Sequence, residues 1–172
     1  MTLGLREVEA GDLPLFFAHQ QDPEAVAMVA FNSRDRGAFD QHWAKILADE
    51  TNLIKTVVVD GEVAGNVLSF TRDSKREVGY WIDRAYWGRG VATGALSAFL
   101  RLEQTRPVYA GVAKHNAASL RVLEKCGFKF LRSGEEESRH ADDTHVLLVL
   151  ADRAVRVIPN SKFHPFLWAP CR

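Results

Sequence analysis

Two cysteines, Cys126 and Cys171, are all that 172 residues contain. That is too few for a disulfide-stapled scaffold and points to a reducing compartment. An excess of either charge is missing too. Lys plus Arg and Asp plus Glu number 22 each, so nothing global recommends nucleic acid as a partner, and any polyanion must be handled locally. The longest apolar runs fall far short of a membrane span, and no N-terminal stretch has the basic-then-apolar form of a signal peptide. A soluble, cytoplasmic protein with no membrane or nucleic-acid partner is therefore expected. Two phosphate motifs are also missing. There is no Gly-Lys-Ser/Thr of a Walker loop. A dinucleotide fingerprint counted from Gly88 meets Thr93 where Gly or Ala is required, and the strand that follows ends Ala113-Lys114-His115 rather than at an acidic residue. An NAD-binding reading fails on both counts.

What is present is ordinary for a globular protein: 47% apolar and 26% charged residues, enough for one domain with a proper core. Taken in order, residues 3–8 alternate as a strand. Asp12 is placed to cap a helix running to His19, and Asp22-Pro23-Glu24 restarts a short helix toward Met28. Residues 31–37 read as an exposed, charged loop. Residues 39–48 form an amphipathic helix with Phe39, Trp43, Ile46 and Leu47 on one side, Trp43 belonging to the core. Strands at 53–59 and 63–70 flank the hairpin signal Asp60-Gly61, and another turn occupies 72–75. A hairpin of 128–131 with 144–150 closes the domain around a polar loop. There His140, Asp142, Asp143 and His145 match no standard ligand spacing, so no metal is expected.

The stretch 77–100 organises the chain. A strand at 78–82 leads through Asp83-Arg84-Ala85 into Trp87-Gly88-Arg89-Gly90-Val91-Ala92, and then into a helix read as running from 92 to 105. Strand, glycine turn and helix N-terminus in that order make an anion site: the first N–H groups point outward, the dipole favours negative charge, and two glycines let a ligand approach the backbone. Arg89 adds a formal charge. The helix must cross over to a buried strand at 108–113, so the two strands should be parallel and right-handed in connection. Ligands of such units bind beyond the carboxyl ends, where the Lys114-His115-Asn116 turn also lies.

The loop Trp87–Ala92 resembles the acyl-CoA pyrophosphate loop of the GNAT superfamily of N-acyltransferases, whose pattern is Gln/Arg-x-x-Gly-x-Gly/Ala. Trp87 stands at the Gln/Arg position, Gly90 at the Gly and Ala92 at the last. The Trp departs from the general pattern and is similar to the ribosomal-protein N-terminal acetyltransferase branch, where Tyr-Trp-Gly-x-Gly is frequent. A second segment, Asn116-Ala-Ala-Ser119-Leu-Arg-Val-Leu-Glu-Lys-Cys-Gly127-Phe128, resembles the family's Asn-x-x-Ser/Ala…Glu-Lys-x-Gly-Phe helix.

The resemblance implies an α/β fold with a mixed sheet of six or seven strands flanked by helices. It implies one acyl-CoA N-acyltransferase domain over residues 1–152, and acetyl transfer from acetyl-CoA to a primary amine by direct attack. The acceptor is a protein or peptide N-terminus, or alternatively a small amine such as an antibiotic or polyamine; a non-catalytic acyl-CoA binder is the other-class alternative. The strand backbone at Tyr80, Trp81 and Ile82 would pair with the pantetheine arm. Gly88, Arg89, Gly90, Val91, Ala92 and Thr93 would hold the pyrophosphate, and Asn116 and Ser119 would contact the cofactor. The family's usual tyrosine acid falls on Leu123 here; the resemblance to the ribosomal-protein branch suggests Ser119 as the acid instead. Glu77 is the first candidate base, with Glu135, Glu136 and Glu137 behind it. Residues 153–172 form a C-terminal extension whose Phe163, Phe166, Leu167 and Trp168 should be covered, with a homodimer partner expected to cover them.

Overall fold

The structure, a computed structural model, describes residues 1–29, 33–131 and 145–151. Seven strands form one sheet in the order β1-β2-β3-β4-β5-β7-β6. The strands are β1 (Leu3–Arg6), β2 (Leu53–Val59), β3 (Glu62–Arg72), β4 (Lys75–Ile82), β5 (Val108–Ala113), β6 (Lys129–Phe130) and β7 (His145–Leu150). The first four make an antiparallel meander, β4 and β5 are parallel, and β7 runs antiparallel between β5 and β6. Hairpin chemistry sets the meander's register. Asp60 and Gly61 both take positive φ, 51° and 93°, the pair that the strand twist demands of a two-residue turn.

Helices cover both faces. α1 (Asp12–His19), α2 (Pro23–Ala27) and α3 (Arg36–Ala48) lie on one side, α4 (Val91–Phe99) and α5 (Ala117–Lys125) on the other. Phe16, Phe39 and Trp43 form the core beneath the first group. Ala95, Leu96, Phe99 and Leu123 join Val57, Val67 and Val108 beneath the second. On β4 the alternation assigns sides. Val78, Tyr80 and Ile82 belong to the α4–α5 cluster, while Trp81 donates its indole N–H to the carbonyl of His19 on α1 at 3.1 Å.

Several sequence expectations need correction. Asp12 is the first residue of α1 rather than its cap; Gly11 precedes it and makes no side-chain cap. The Asp12 carboxylate is buried because it accepts from Arg6 twice at 2.7 Å, from the Glu9 N–H and from Thr56 Oγ. α3 begins at Arg36 with Asp35 as its cap, and Arg34 is buried, so the 31–37 segment is not simply an exposed charged loop. Leu47 is exposed, one position beyond the apolar stripe that buries Phe39, Trp43 and Ile46. α4 ends at Phe99 rather than near 105, and Glu103 is instead drawn inward onto Ser69, Arg76 and the Thr105 N–H. Phe31, the loop with Glu135–Glu137, His140, Asp142 and Asp143, and the 153–172 extension lie outside the described residues.

Candidate active site

β4 and β5 pair only at Arg76↔Val108 and Glu77↔Tyr109. Beyond that point each keeps its outer neighbour while the facing edges part, leaving a wedge in the middle of the sheet. A cavity of about 450 Å³ occupies it, and its walls begin at Val78 on one strand and Ala110 on the other. Tyr80, Trp81 and Ile82 line one wall. Gly88 and Gly90 follow from the loop, then Val91, Ala92 and Thr93 from the first turn of α4. Asn116 and Ser119 contribute from α5.

The mouth is formed by the glycine loop and the start of α4. Gly88 and Gly90 have φ of 72° and 79°, a conformation that other residues adopt only at a cost. A Cβ at either position would meet nothing within 4 Å, so the space over the backbone is open. Gly90 caps α4 without any side-chain hydrogen bond, so the first N–H groups of α4 look for an acceptor beyond the helix. Trp87 donates its indole N–H to the Ile82 carbonyl at 2.8 Å, pinning the loop to the end of β4. Arg89 stands off the wall, its guanidinium 5.4 Å from the centre of the Tyr86 ring.

α2 spans the open side. Arg84, just past β4, holds Asp22 at 2.8 Å and Glu24 at 2.6 Å. From beyond β5, His115 reaches the Ala27 carbonyl at 2.8 Å and the Asn116 amide donates to the Met28 carbonyl at 3.0 Å. Asn116 also accepts from the Ser119 N–H at 2.9 Å, capping α5. Both ends of the Asn116 side chain are thus engaged within the protein.

Ser119 Oγ lies 2.7 Å from the hydroxyl of Tyr80. Burial pushes the Tyr80 phenol up to about 12, against the opposing pull of the Ser119 hydrogen bond. Leu123, which also borders the cavity, is fully buried. Glu77 occupies the opposite face of β4. It pairs in register with Phe70, which packs against Ile46 of α3, and it sits one residue below the first residue of the cavity wall. Burial raises its carboxyl to about 7, although Arg72 and Lys75 work to lower it. The two candidate catalytic groups therefore stand on opposite sides of the same strand.

Sequence reasoning did not find three features here: the Tyr80–Ser119 contact, the α2 roof, and the pair Arg121 and Lys125, which line the cavity from α5. Helical spacing from Ala118 through Arg121 and Val122 to Lys125 was the available signal for the last. The other two depend on contacts between distant parts of the chain. Among the described residues no group of three or more His, Cys, Asp or Glu side chains could hold a metal ion, and no helix is long and apolar enough to cross a membrane.

Known proteins place this architecture. Residues 2–129 match the family described as Acetyltransferase (GNAT) domain. The chain is 33% identical over 94 residues to Probable N-acetyltransferase YjcK of Bacillus subtilis, a match covering 52% of this chain and 48% of that protein. The chain thus spans about half the length of this curated relative. Among solved structures, an acetyltransferase from Agrobacterium tumefaciens C58 superimposes with a TM-score of 0.72 at 17% identity, covering 87% of this chain and 91% of that one. The aminoglycoside acetyltransferase AAC(6')-Ib in complex with coenzyme A superimposes with a TM-score of 0.69 at 18% identity, covering 87% and 95%. With its split sheet, its glycine loop and a family match over most of its length, the chain belongs to the GNAT acetyltransferase family.

Proposed function

We propose that this protein moves an acetyl group from acetyl-CoA to a primary amine by direct attack of the amine on the thioester. The wedge between β4 and β5, whose lining includes the start of α4, a helix N-terminus with no side-chain cap, carries this reading. A chain with amides along its length and a pyrophosphate at one end suits such a slot. The β5-facing edge of β4 beyond Glu77 pairs with the amide-bearing arm, and the N–H groups of residues 88–93 take the pyrophosphate. Asn116 shapes the wall through its two internal hydrogen bonds rather than by a free amide.

Ser119 faces the reacting end and donates to the departing thiolate. Glu77, on the α1–α3 side, is the base for the incoming amine; a carboxyl near 7 is matched to that task at neutral pH. The acceptor then enters from the side of α1–α3, opposite Ser119. Two acceptor classes follow from the comparisons and the loop. The Tyr-Trp-Gly-x-Gly form of the loop favours a peptide or protein N-terminus. The AAC(6')-Ib structure with kanamycin, which superimposes with a TM-score of 0.71, favours a small amine.

The test is release of free CoA with a panel containing both classes, beside thermal shifts with acetyl-CoA and with NAD. Acetyl-CoA at a hundred times its dissociation constant adds about 2.7 kcal/mol, a rise of several degrees for a domain this size, and NAD adds nothing. Absence of any shift with millimolar acetyl-CoA would sink the assignment. A shift without thiol release to any amine would make this an acyl-CoA binder.

A further inference from the structure

The hydroxyl of Tyr80 reaches across from β4 to the hydroxyl of Ser119 on α5, 2.7 Å away. Both residues line the cavity, and 39 positions separate them in the chain. A single serine hydroxyl at a helix start can rotate toward solvent, toward a carbonyl or toward a ligand, so on its own it is a poorly aimed donor. A second hydroxyl within hydrogen-bond distance removes that freedom. Either hydroxyl can donate across this contact, and the Ser119 carbonyl lies 3.4 Å from the phenol as a more distant acceptor; the phenol is the stronger acid, which favours it as the donor to the nearer Ser119 Oγ. Burial keeps it protonated over the whole usable pH range. The Ser119 oxygen is then occupied as an acceptor, and its own proton is turned toward the cavity.

We propose that Tyr80 is a positioning residue for acetyl transfer, which donates to Ser119 Oγ so that the Ser119 proton points at the departing thiol sulfur. This rests on the acetyl-CoA reading above. The family's tyrosine position on the helix holds Leu123 here, and the phenol comes instead from the neighbouring strand and acts through the serine. In the step concerned, the amine nitrogen has bonded to the carbonyl carbon. The carbon–sulfur bond breaks, its electron pair remains on sulfur, and the carbonyl re-forms. The proton lost by the amine leaves on the Glu77 side. Ser119 shares its hydrogen with the new thiolate, and Tyr80 strengthens that donation because each hydrogen bond in a chain polarises the next.

Tyr80→Phe removes only the phenolic oxygen and keeps the ring in its packing against the α4–α5 core. Two measurements test the proposal. The first is ionisation of the thiol of bound CoA, followed by thiolate absorbance as a difference between loaded and unloaded protein, which cancels Cys126 and Cys171. It requires no acceptor. Tyr80→Phe should make the bound thiol about three- to tenfold harder to ionise, and Ser119→Ala at least as much. The double variant should be no worse than Ser119→Ala alone, because Tyr80 acts only through the serine.

The second measurement is steady-state turnover with any competent amine. Ser119→Ala should lower kcat about 10²-fold and Tyr80→Phe about tenfold, with KM for acetyl-CoA nearly unchanged in both. A bound thiol that titrates identically in the wild type and Tyr80→Phe would overturn the proposal, as would losses that simply multiply in the double variant. Failure of the wild type to bind acetyl-CoA or CoA would instead overturn the reading beneath it. Normal binding and turnover in folded Tyr80→Phe would overturn the positioning role alone.

Discussion

Replacing Glu77 with Gln perturbs one buried carboxyl while preserving its shape, and its consequences can be worked through from the fold. Glu77 is 7% exposed on β4, and burial raises its carboxyl from 4.5 to about 7. The folded protein therefore holds a proton there that the unfolded chain releases near 4.5. Below pH 4.5 both states are protonated and the group costs nothing. Between about 4.5 and 7 stability declines as pH rises, by at most 1.36 kcal/mol per pH unit, and above 7 the loss is complete. A shift of about 2.5 units gives an upper bound of about 3 kcal/mol. Gln carries no such proton. The Glu77→Gln variant should match the wild type in thermal stability near pH 4.5 and exceed it at pH 8 by several degrees, at roughly 2–4 °C per kcal/mol. The same variant tests catalysis. If Glu77 accepts the amine's proton, the rate of acetyl transfer at pH 8 should fall about 10²-fold or more, and the limb of the pH–rate profile with an apparent pKa near 7 should vanish. A stability difference independent of pH from 5 to 8 would refute the burial reasoning. A stabilised variant with full activity would leave Glu77 as a structural residue and send the proton to solvent.

Other perturbations read other parts of the site. Gly90→Val places a branched side chain at φ 79° in the open space over the loop. It costs more than the roughly 1–2 kcal/mol of an ordinary left-handed residue and blocks approach to the α4 N–H groups. The folded variant should lose at least about tenfold in acetyl-CoA affinity by calorimetry, and unchanged affinity would show that the loop is not the pyrophosphate site. Arg121→Gln with Lys125→Gln, two exposed cations one turn apart on the cavity face of α5, should cut the preference for acetyl-CoA over its 3′-dephospho form by about three- to tenfold at low salt. A preference that survives both changes would place the 3′-phosphate elsewhere. Deletion of residues 152–172, which carry Phe163, Phe166, Leu167 and Trp168, should convert a homodimer to a monomer in sedimentation while acetyl-CoA still binds. Full-length protein that sediments as a monomer at high concentration would rule out the dimer.

Elements set by local chemistry were legible in the sequence. Asp60-Gly61 announced its hairpin because a two-residue turn with positive φ selects those residue types. Asp22 before Pro23 announced the start of α2, and its carboxylate indeed accepts from the N–H groups of Glu24 and Ala25. The strand–glycine–helix order was legible as well, since Gly88 and Gly90 lie between β4 and α4 in the chain and take the positive φ of the turn. What escaped was decided over long separations. Asp12 looked like a helix cap because nothing nearby shows that Thr56, 44 residues on, completes its hydrogen bonds. Glu77 was named as a candidate base, but its burial was not foreseeable, because the face it shares with Phe70 is covered from α3, distant in the chain. Tyr80 was read for its backbone, because its hydroxyl acquires meaning only once α5 is packed beside β4. The early end of α4 is of the same kind: Glu103 is held by Ser69 and Arg76, from two other strands.

The two-rung contact between β4 and β5 divides the sheet into two panels, β1 to β4 and β5-β7-β6, hinged at Glu77 and Tyr109. Along the parted edges, backbone groups that would ordinarily bond to a neighbouring strand face an empty seam. On the proposed reading, the amide-bearing arm of acetyl-CoA would lie in this seam and supply those rungs from outside. The two rungs at the closed end keep the sheet in one piece, and on the proposed reading substrate binding extends the pairing along the rest of the seam. Those amide hydrogens of residues 78–82 and 110–113 that point at the seam, rather than at β3 or β7, should accordingly exchange with solvent as sheet-edge groups in the free protein and as sheet-interior groups once the seam is filled.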